Sequence, residues 1–121
     1  MNHDKVDLRE ALAKIREPWS PHLVAELNGQ HVRIAKLEGE FTWHSHEHED
    51  ELFLVVDGEV TLKLRDRDVH LTEGQLFVVP RGVEHMPVSE HGASVLLFEP
   101  ASTVNTGETD DPRRVDELPQ L

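Results

Sequence analysis

The sequence predicts an all-β domain closed into a sandwich or barrel, and three observations carry that expectation. From His22 onward, apolar and polar residues alternate with the period of a half-buried strand rather than that of a helix. Turn signals recur every ~8 to 12 residues, the spacing of short antiparallel strands. The seven glycines and seven prolines of the 121-residue chain fall mostly between short apolar runs.

Taken in order, residues 4–16 read as a short amphipathic helix. Asp4 is placed to cap it, Asp7 falls in its first turn, and Leu8, Leu12 and Ile15 share one stripe. Glu10 and Lys14 pair one turn apart on the other side. Pro18 and the turn Trp19-Ser20-Pro21 stop the helix. Such a helix either caps an open barrel end or forms a dimer contact, because a domain this small leaves it little to bury. Residues 1–19 are thus a helix and lead-in, and residues 20–100 the barrel.

His22–Leu27 and His31–Leu37 alternate about Asn28-Gly29, a strong two-residue hairpin signal. Phe41–His46 reads as the next strand. Glu51–Val56 and Val60–Arg65 flank Asp57-Gly58, a second hairpin signal, and Thr61, Lys63 and Arg65 leave one face of the latter strand wet. Val69–Leu71, Leu76–Val79, His85–Val88 and Ser94–Glu99 complete about nine short strands. Residues 101–121 are too polar for a core and are expected as an extended arm or partly disordered tail.

Composition narrows the function classes. With no cysteine, thiolate catalysis, disulfides and Cys-based zinc sites are excluded. No apolar run reaches membrane-spanning length and no signal peptide opens the chain, so a soluble, cytoplasmic protein is expected. Acidic residues outnumber basic ones 24 to 12, for a formal net charge of −12. That surface repels phosphate backbones and disfavours nucleic acid as a partner. Few of the cations are lysine, which is the balance of a protein adapted to high salt and equally of many ordinary acidic proteins.

The chemistry concentrates in Gly39–Gly58. His44 and His46 stand two residues apart, so on a strand both imidazoles face the same side. Glu51 opens the next apolar run. Two histidines and a carboxylate facing inward are three parts of a metal site, and His85 is the candidate for the fourth. Without a metal, three buried imidazoles would each need another hydrogen-bond partner, and the alternative is a vestigial site arranged around water. His48 lies among Glu47, Glu49 and Asp50 and reads as a solvent-exposed loop residue. His3, His22, His31, His70 and His91 lack partners at ligand spacing and read as surface or strand-end residues. Glu84 should point outward beside His85, and Trp43 reads as packing beside His44.

Gly39-x4-His44-x-His46-x4-Glu51-x6-Gly58 resembles the first cupin motif, one residue short in its leading spacer, and Gly74-x5-Pro80-x-Gly82-x2-His85 resembles the second. Ser89 stands where the family pattern ends in asparagine. Pro18-Trp-Ser-Pro21, Trp43-His-Ser-His46, Asp50-Glu-Leu-Phe53 and Val79-Pro-Arg-Gly-Val-Glu-His85 look like the small single-domain cupins labelled mannose-6-phosphate isomerase-like. The resemblance covers roughly residues 20–100. It implies a jelly-roll barrel, or double-stranded β-helix, holding one divalent metal ion (Zn, Mn, Fe or Ni) on His44, His46, Glu51 and His85.

Such a centre would leave two neighbouring positions open for water or a chelating small molecule. No further residue is marked as acid or base, and the chain has no tyrosine. The expected functions are a small-molecule enzyme (isomerase, dioxygenase, or metal-assisted hydrolase or lyase), a non-catalytic sugar or small-acid binding module, or a metal-bound structural dimer. A homodimer is expected from the helix and from strand edges that a small barrel must cover.

Overall fold

Seven strands and one short helix organise the computed structural model, which describes residues 4–121. They are α1 (Leu8–Ala13), β1 (His22–Leu27), β2 (Gln30–Glu40), β3 (Glu51–Gly58), β4 (Val60–Leu64), β5 (Asp68–Leu71), β6 (Leu76–Val79) and β7 (His85–Pro100). All pairings are antiparallel, in the order β1-β2-β7-β3-β6, with β5-β4 joined to the other half of β7. The long strand β7 passes from one sheet to the other, which closes the jelly-roll barrel. Two strands were expected where β7 runs unbroken, because Glu90-His91-Gly92 reads locally as a turn. In the fold it is a bend, with Gly92 at φ 93°.

Asn28 and Gly29 both take positive φ, at 50° and 77°, and form the β1–β2 hairpin that the sequence announces. Asp57-Gly58 does not form one. β3 pairs with β6 and β7, β4 pairs with β5 and β7, and the chain crosses between sheets at Gly58. A Cβ on Gly58 would press on the Gly92 carbonyl oxygen and lie 2.9 Å from Ala93 Cα, so the crossing needs glycine for space as well as for its φ of 83°.

The core lies between the sheets, around Phe53, Val55, Val60, Leu62, Val79 and Val95, with Trp19 at one end. Ile34, Leu62 and Val95 are fully buried, and each contributes roughly 1.5–3 kcal/mol. The helix is shorter than expected and starts later: Asp7, not Asp4, is its N-cap, accepting from the Glu10 amide at 3.1 Å. Its stripe finds cover within the domain, because Ala11, Leu12 and Ile15 pack with Val24 and Ile34 on the outside of the larger sheet. The helix therefore supplies no unburied stripe for a dimer contact. Beyond it the same outer face stays apolar in two cross-strand rows, Val32–Phe98–Leu52–Val78 and Ile34–Leu96–Leu54–Leu76.

Phe41–His46 is extended but is not a strand, and Pro87 explains why. The Phe41 amide donates to Pro87 O at 3.0 Å, but proline has no N–H to return to the Phe41 carbonyl. That donor comes from the segment after β7, where Arg113 Nη2 reaches Phe41 O at 3.2 Å. The arm, residues 101–121, holds no regular element but is fixed by such contacts. Thr109 Oγ1 donates to Trp43 O, Thr103 and Thr106 are buried, and Gln120 bridges the edge of β1 at Leu23.

Candidate metal centre

His44 and His85 are joined backbone to backbone by reciprocal bonds, His44 N to His85 O at 3.0 Å and His85 N to His44 O at 2.9 Å. Each ring is then turned by a carbonyl two residues earlier: His44 Nδ1 bonds Thr42 O at 2.9 Å, and His85 Nδ1 bonds Val83 O at 3.0 Å. A carbonyl can only accept, so Nδ1 carries the proton in both rings and Nε2 is left as a lone-pair donor. His46 is held through its backbone, whose carbonyl accepts from Gly82 N at 2.8 Å. Glu51 is the first residue of β3, paired with Val79 of β6.

The four side chains His44, His46, Glu51 and His85 are all buried, and one ligand atom from each lies within 4.8 Å of the others. His46 Nε2 and His85 Nε2 each stand 3.4 Å from Glu51 Oε1. Among the described residues, none of these three atoms has a hydrogen-bond partner. Buried polar atoms are rarely left so, and three aimed at one point fit a divalent ion.

Burial, reinforced by the neighbouring His85, lowers the His44 pKa to about 4, so the ring is neutral and ready to coordinate at neutral pH. Burial also works against a charge on His46, but the adjacent Glu51 carboxylate outweighs it and raises that pKa. Glu51 itself is held well below the ordinary carboxylate range. Burial opposes this, and the neighbouring Glu99, His46 and His85 overcome it.

Glu99 and Arg33 escape sequence reasoning. Glu99, near the end of β7, is pushed well above the ordinary range by burial and by the Glu51 charge. Arg33 of β2 meets Glu99 Oε2 at 2.7 Å, and Glu99 Oε1 has no hydrogen-bond partner among the described residues. Arg33 also bonds His31 Nδ1, Ala101 O and Thr103 O. His31, expected at the surface or a strand end, is the second residue of β2 and is buried in this network, with Glu26 at 3.0 Å. The sequence signal of Arg33 and Glu99 is slight: Arg33 stands between Val32 and Ile34, and Glu99 directly follows the apolar run Val95–Phe98.

The remaining expectations sort cleanly. His48 is 81% exposed and belongs to no cluster. Glu84 faces outward and pairs with Arg65, which also stacks on Trp43 at 3.8 Å. Ser89 donates to Glu59 O, away from the ligands. His3 lies outside the described residues.

A cavity of about 40 Å³ opens beside His44 and Glu51 inside the barrel. The arm covers this end: a Cβ on Gly107 would collide with the Ser45 carbonyl and stand 3.4 Å from His44 Cδ2. Arg113 lies 4.5 Å over Phe41, and Asp111 holds it from the other side at 3.0 Å.

Comparison with known proteins follows the same residues. The cupin-domain family model matches residues 30–99. YdbB, an uncharacterized protein of Bacillus subtilis, is 32% identical over 73 residues, which are 60% of this chain and 65% of that protein's length. A cupin-2 domain protein from Shewanella frigidimarina superposes with a TM-score of 0.77 at 34% identity, covering 78% of this chain and 93% of the other. Protein NMB1881 from Neisseria meningitidis gives 0.75 at 32% identity, covering 81% and 100%.

Proposed function

Because the chain belongs to the cupin family, we propose that it is a mononuclear metal-binding cupin in which His44, His46, Glu51 and His85 hold one divalent ion. We propose further that it is a small-molecule enzyme: an isomerase, a dioxygenase, or a metal-assisted hydrolase or lyase. The observation that carries the metal reading is the convergence of His46 Nε2, Glu51 Oε1 and His85 Nε2, buried and without hydrogen-bond partners. Three imidazoles and a carboxylate suit zinc, manganese, iron or nickel. The ion would polarise a bound carbonyl or hydroxyl, or make bound water acidic. The protein's part is to hold three imidazoles and one carboxylate in a buried pocket.

Metal analysis of protein purified without an affinity tag tests this. About one equivalent of metal per chain is expected. Metal at about 100 times its Kd should stabilise the fold by about 2.7 kcal/mol. His46→Ala should lose both, and unchanged metal content in that variant at neutral pH would refute the assignment. Acidification should release the ion, since a protonated imidazole cannot coordinate.

A non-catalytic sugar or small-acid binding module is the second reading. It is favoured by the want of any further acid or base beside the ligands in the cavity wall. Product analysis against simple binding, on the metal-loaded protein, separates the two. A cytoplasmic homodimer completes the proposal. The uncharged outer rows, ending in exposed Leu76 and Val78, offer two acidic chains a surface free of mutual repulsion. A monomer mass by light scattering at tens of micromolar protein would remove it.

A further inference from the structure

The cavity wall says which ligands the centre can take. On the side away from the metal ligands it is built from Trp19, Phe41 and Phe53, with Leu37, Val95 and Leu97. Trp19 and Phe41 stack with their centroids 4.7 Å apart, so the aromatic part is a rigid plate. Every polar side chain of the wall outside the ligand cluster already holds a partner within the chain. Trp19 Nε1 donates to Glu38 O at 2.8 Å. The Asn105 amide is used by the arm: its nitrogen donates to Arg113 O, and its oxygen accepts from Val115 N. His44 Nδ1 is taken by Thr42 O.

The cations nearby are equally spent. The Arg113 guanidinium, against Phe41 on the rim, is bound by both Asp111 oxygens and by the carbonyls of Glu40 and Phe41. Arg33 is closed off in its pair with Glu99. A phosphate entering here would find no cation, and a polyol would bury hydroxyls with no partner.

Building on the metal reading above, we infer that this site selects a short oxygen chelator with an apolar body, and rejects sugars and sugar phosphates. The ligand's polar end goes to the metal, and everything behind it must be hydrocarbon. Size points the same way, because the cavity is small, about 40 Å³, with the arm seated.

Two hydroxamates with one chelating head and equal chain length isolate the body's chemistry. Butanoyl hydroxamate and 3,4-dihydroxybutanoyl hydroxamate would be titrated calorimetrically into the metal-loaded, full-length protein, with mannose 6-phosphate as a third probe. Each buried hydroxyl without a partner weakens binding by roughly tenfold, so the dihydroxy compound should bind about 100-fold less tightly. Mannose 6-phosphate should give no heat. Equal or tighter binding of the dihydroxy compound, or clear binding of mannose 6-phosphate, overturns the inference. So does loaded protein that binds neither hydroxamate, since the metal would then not be reached from this cavity. Protein that takes up no metal fails at the earlier step, and the metal analysis reports that separately.

Discussion

Arg33 and His85 lie equally deep, at 2% and 0% exposure, yet the chain treats them differently. Arg33 spends its donors on Glu99, His31 and two carbonyls of the arm, and nothing from outside is needed. His85 is fixed at Nδ1 and at its backbone, but its Nε2, 3.4 Å from Glu51 Oε1, has no hydrogen-bond partner among the described residues. The two clusters touch through one carboxyl pair, Glu51 and Glu99. A buried polar group completed by the chain holds structure together, whereas several left incomplete and gathered around one point make a binding site. Burial alone does not distinguish them; the partners and the convergence do.

The largest effect expected is on the completed side. Arg33→Met leaves Glu99 buried without its cation and should cost about 3–5 kcal/mol in urea unfolding of the metal-free protein. The double variant Arg33→Met/Glu99→Leu should recover most of that loss. A single variant costing under about 1 kcal/mol would erase the distinction drawn here.

The incomplete side should answer to pH instead. His44 has its folded pKa lowered from 6.5 to about 4, so the unfolded chain takes up that proton first. Its contribution is complete above pH 6.5 and is lost as pH falls toward 4, at a cost of up to about 3 kcal/mol. His46, with its pKa raised, acts in the opposite sense: its contribution is present below its ordinary pKa and fades as pH rises through the folded value. Unfolding of metal-free His46→Gln across pH 4–8 isolates the His44 share. A flat profile there would mean that the pocket is wetter than its geometry implies.

A smaller effect sharpens the contrast at the arm. Arg113→Ala removes the donor that stands in for the missing proline N–H, and should cost about 1–2 kcal/mol. It should also speed proteolytic cleavage within residues 101–121. The wild-type clasp should not follow the histidines in acid. Asp111 is held down to about 2 by Arg113, so its contribution is whole above pH 4 and is lost only as pH falls toward that value. Arm cleavage that accelerates between pH 6.5 and 5 would show the clasp and the centre to be one unit.

The smallest effect concerns the surface. The screening length falls from about 30 Å at 0.01 M salt to about 3 Å at 1 M. Relief of repulsion in a chain of net charge −12 should therefore raise the thermal midpoint by a few degrees between 0.05 and 2 M potassium chloride, metal content held constant. The deficit of Arg33→Met should be the same at both ends, because a buried pair is little screened. A flat or falling midpoint would dismiss adaptation to salt.

What the sequence disclosed follows from how far each signal reaches. The spacing of His44, His46 and Glu51, and the Asn28-Gly29 turn, are encoded within a few residues, so they were legible. Arg33 and Glu99 were not, because nothing near either one names the other across β2 and β7. Asp57-Gly58 misled for the same reason: the dipeptide suits a hairpin, and only the pairing of β3 and β4 with other strands makes it a crossing. The Phe41–His46 strand failed on Pro87, distant in sequence, and was completed by Arg113, more distant still.

The pairing scheme also bears on how the protein is made. β1 with β2, β4 with β5, and β3 with β6 are three two-stranded ladders that share no hydrogen bonds with one another. All strand pairing between them runs through β7, which pairs with β2, β3 and β4. A chain growing from its N-terminus therefore carries three unjoined ribbons, each marginal alone, until residues 85–100 emerge. The strand that then joins them begins with His85 and carries Glu99 near its end. Closure of the barrel and assembly of the ligand set are thus one kinetic event, and the nascent protein has no native centre with which to capture a metal before it has folded.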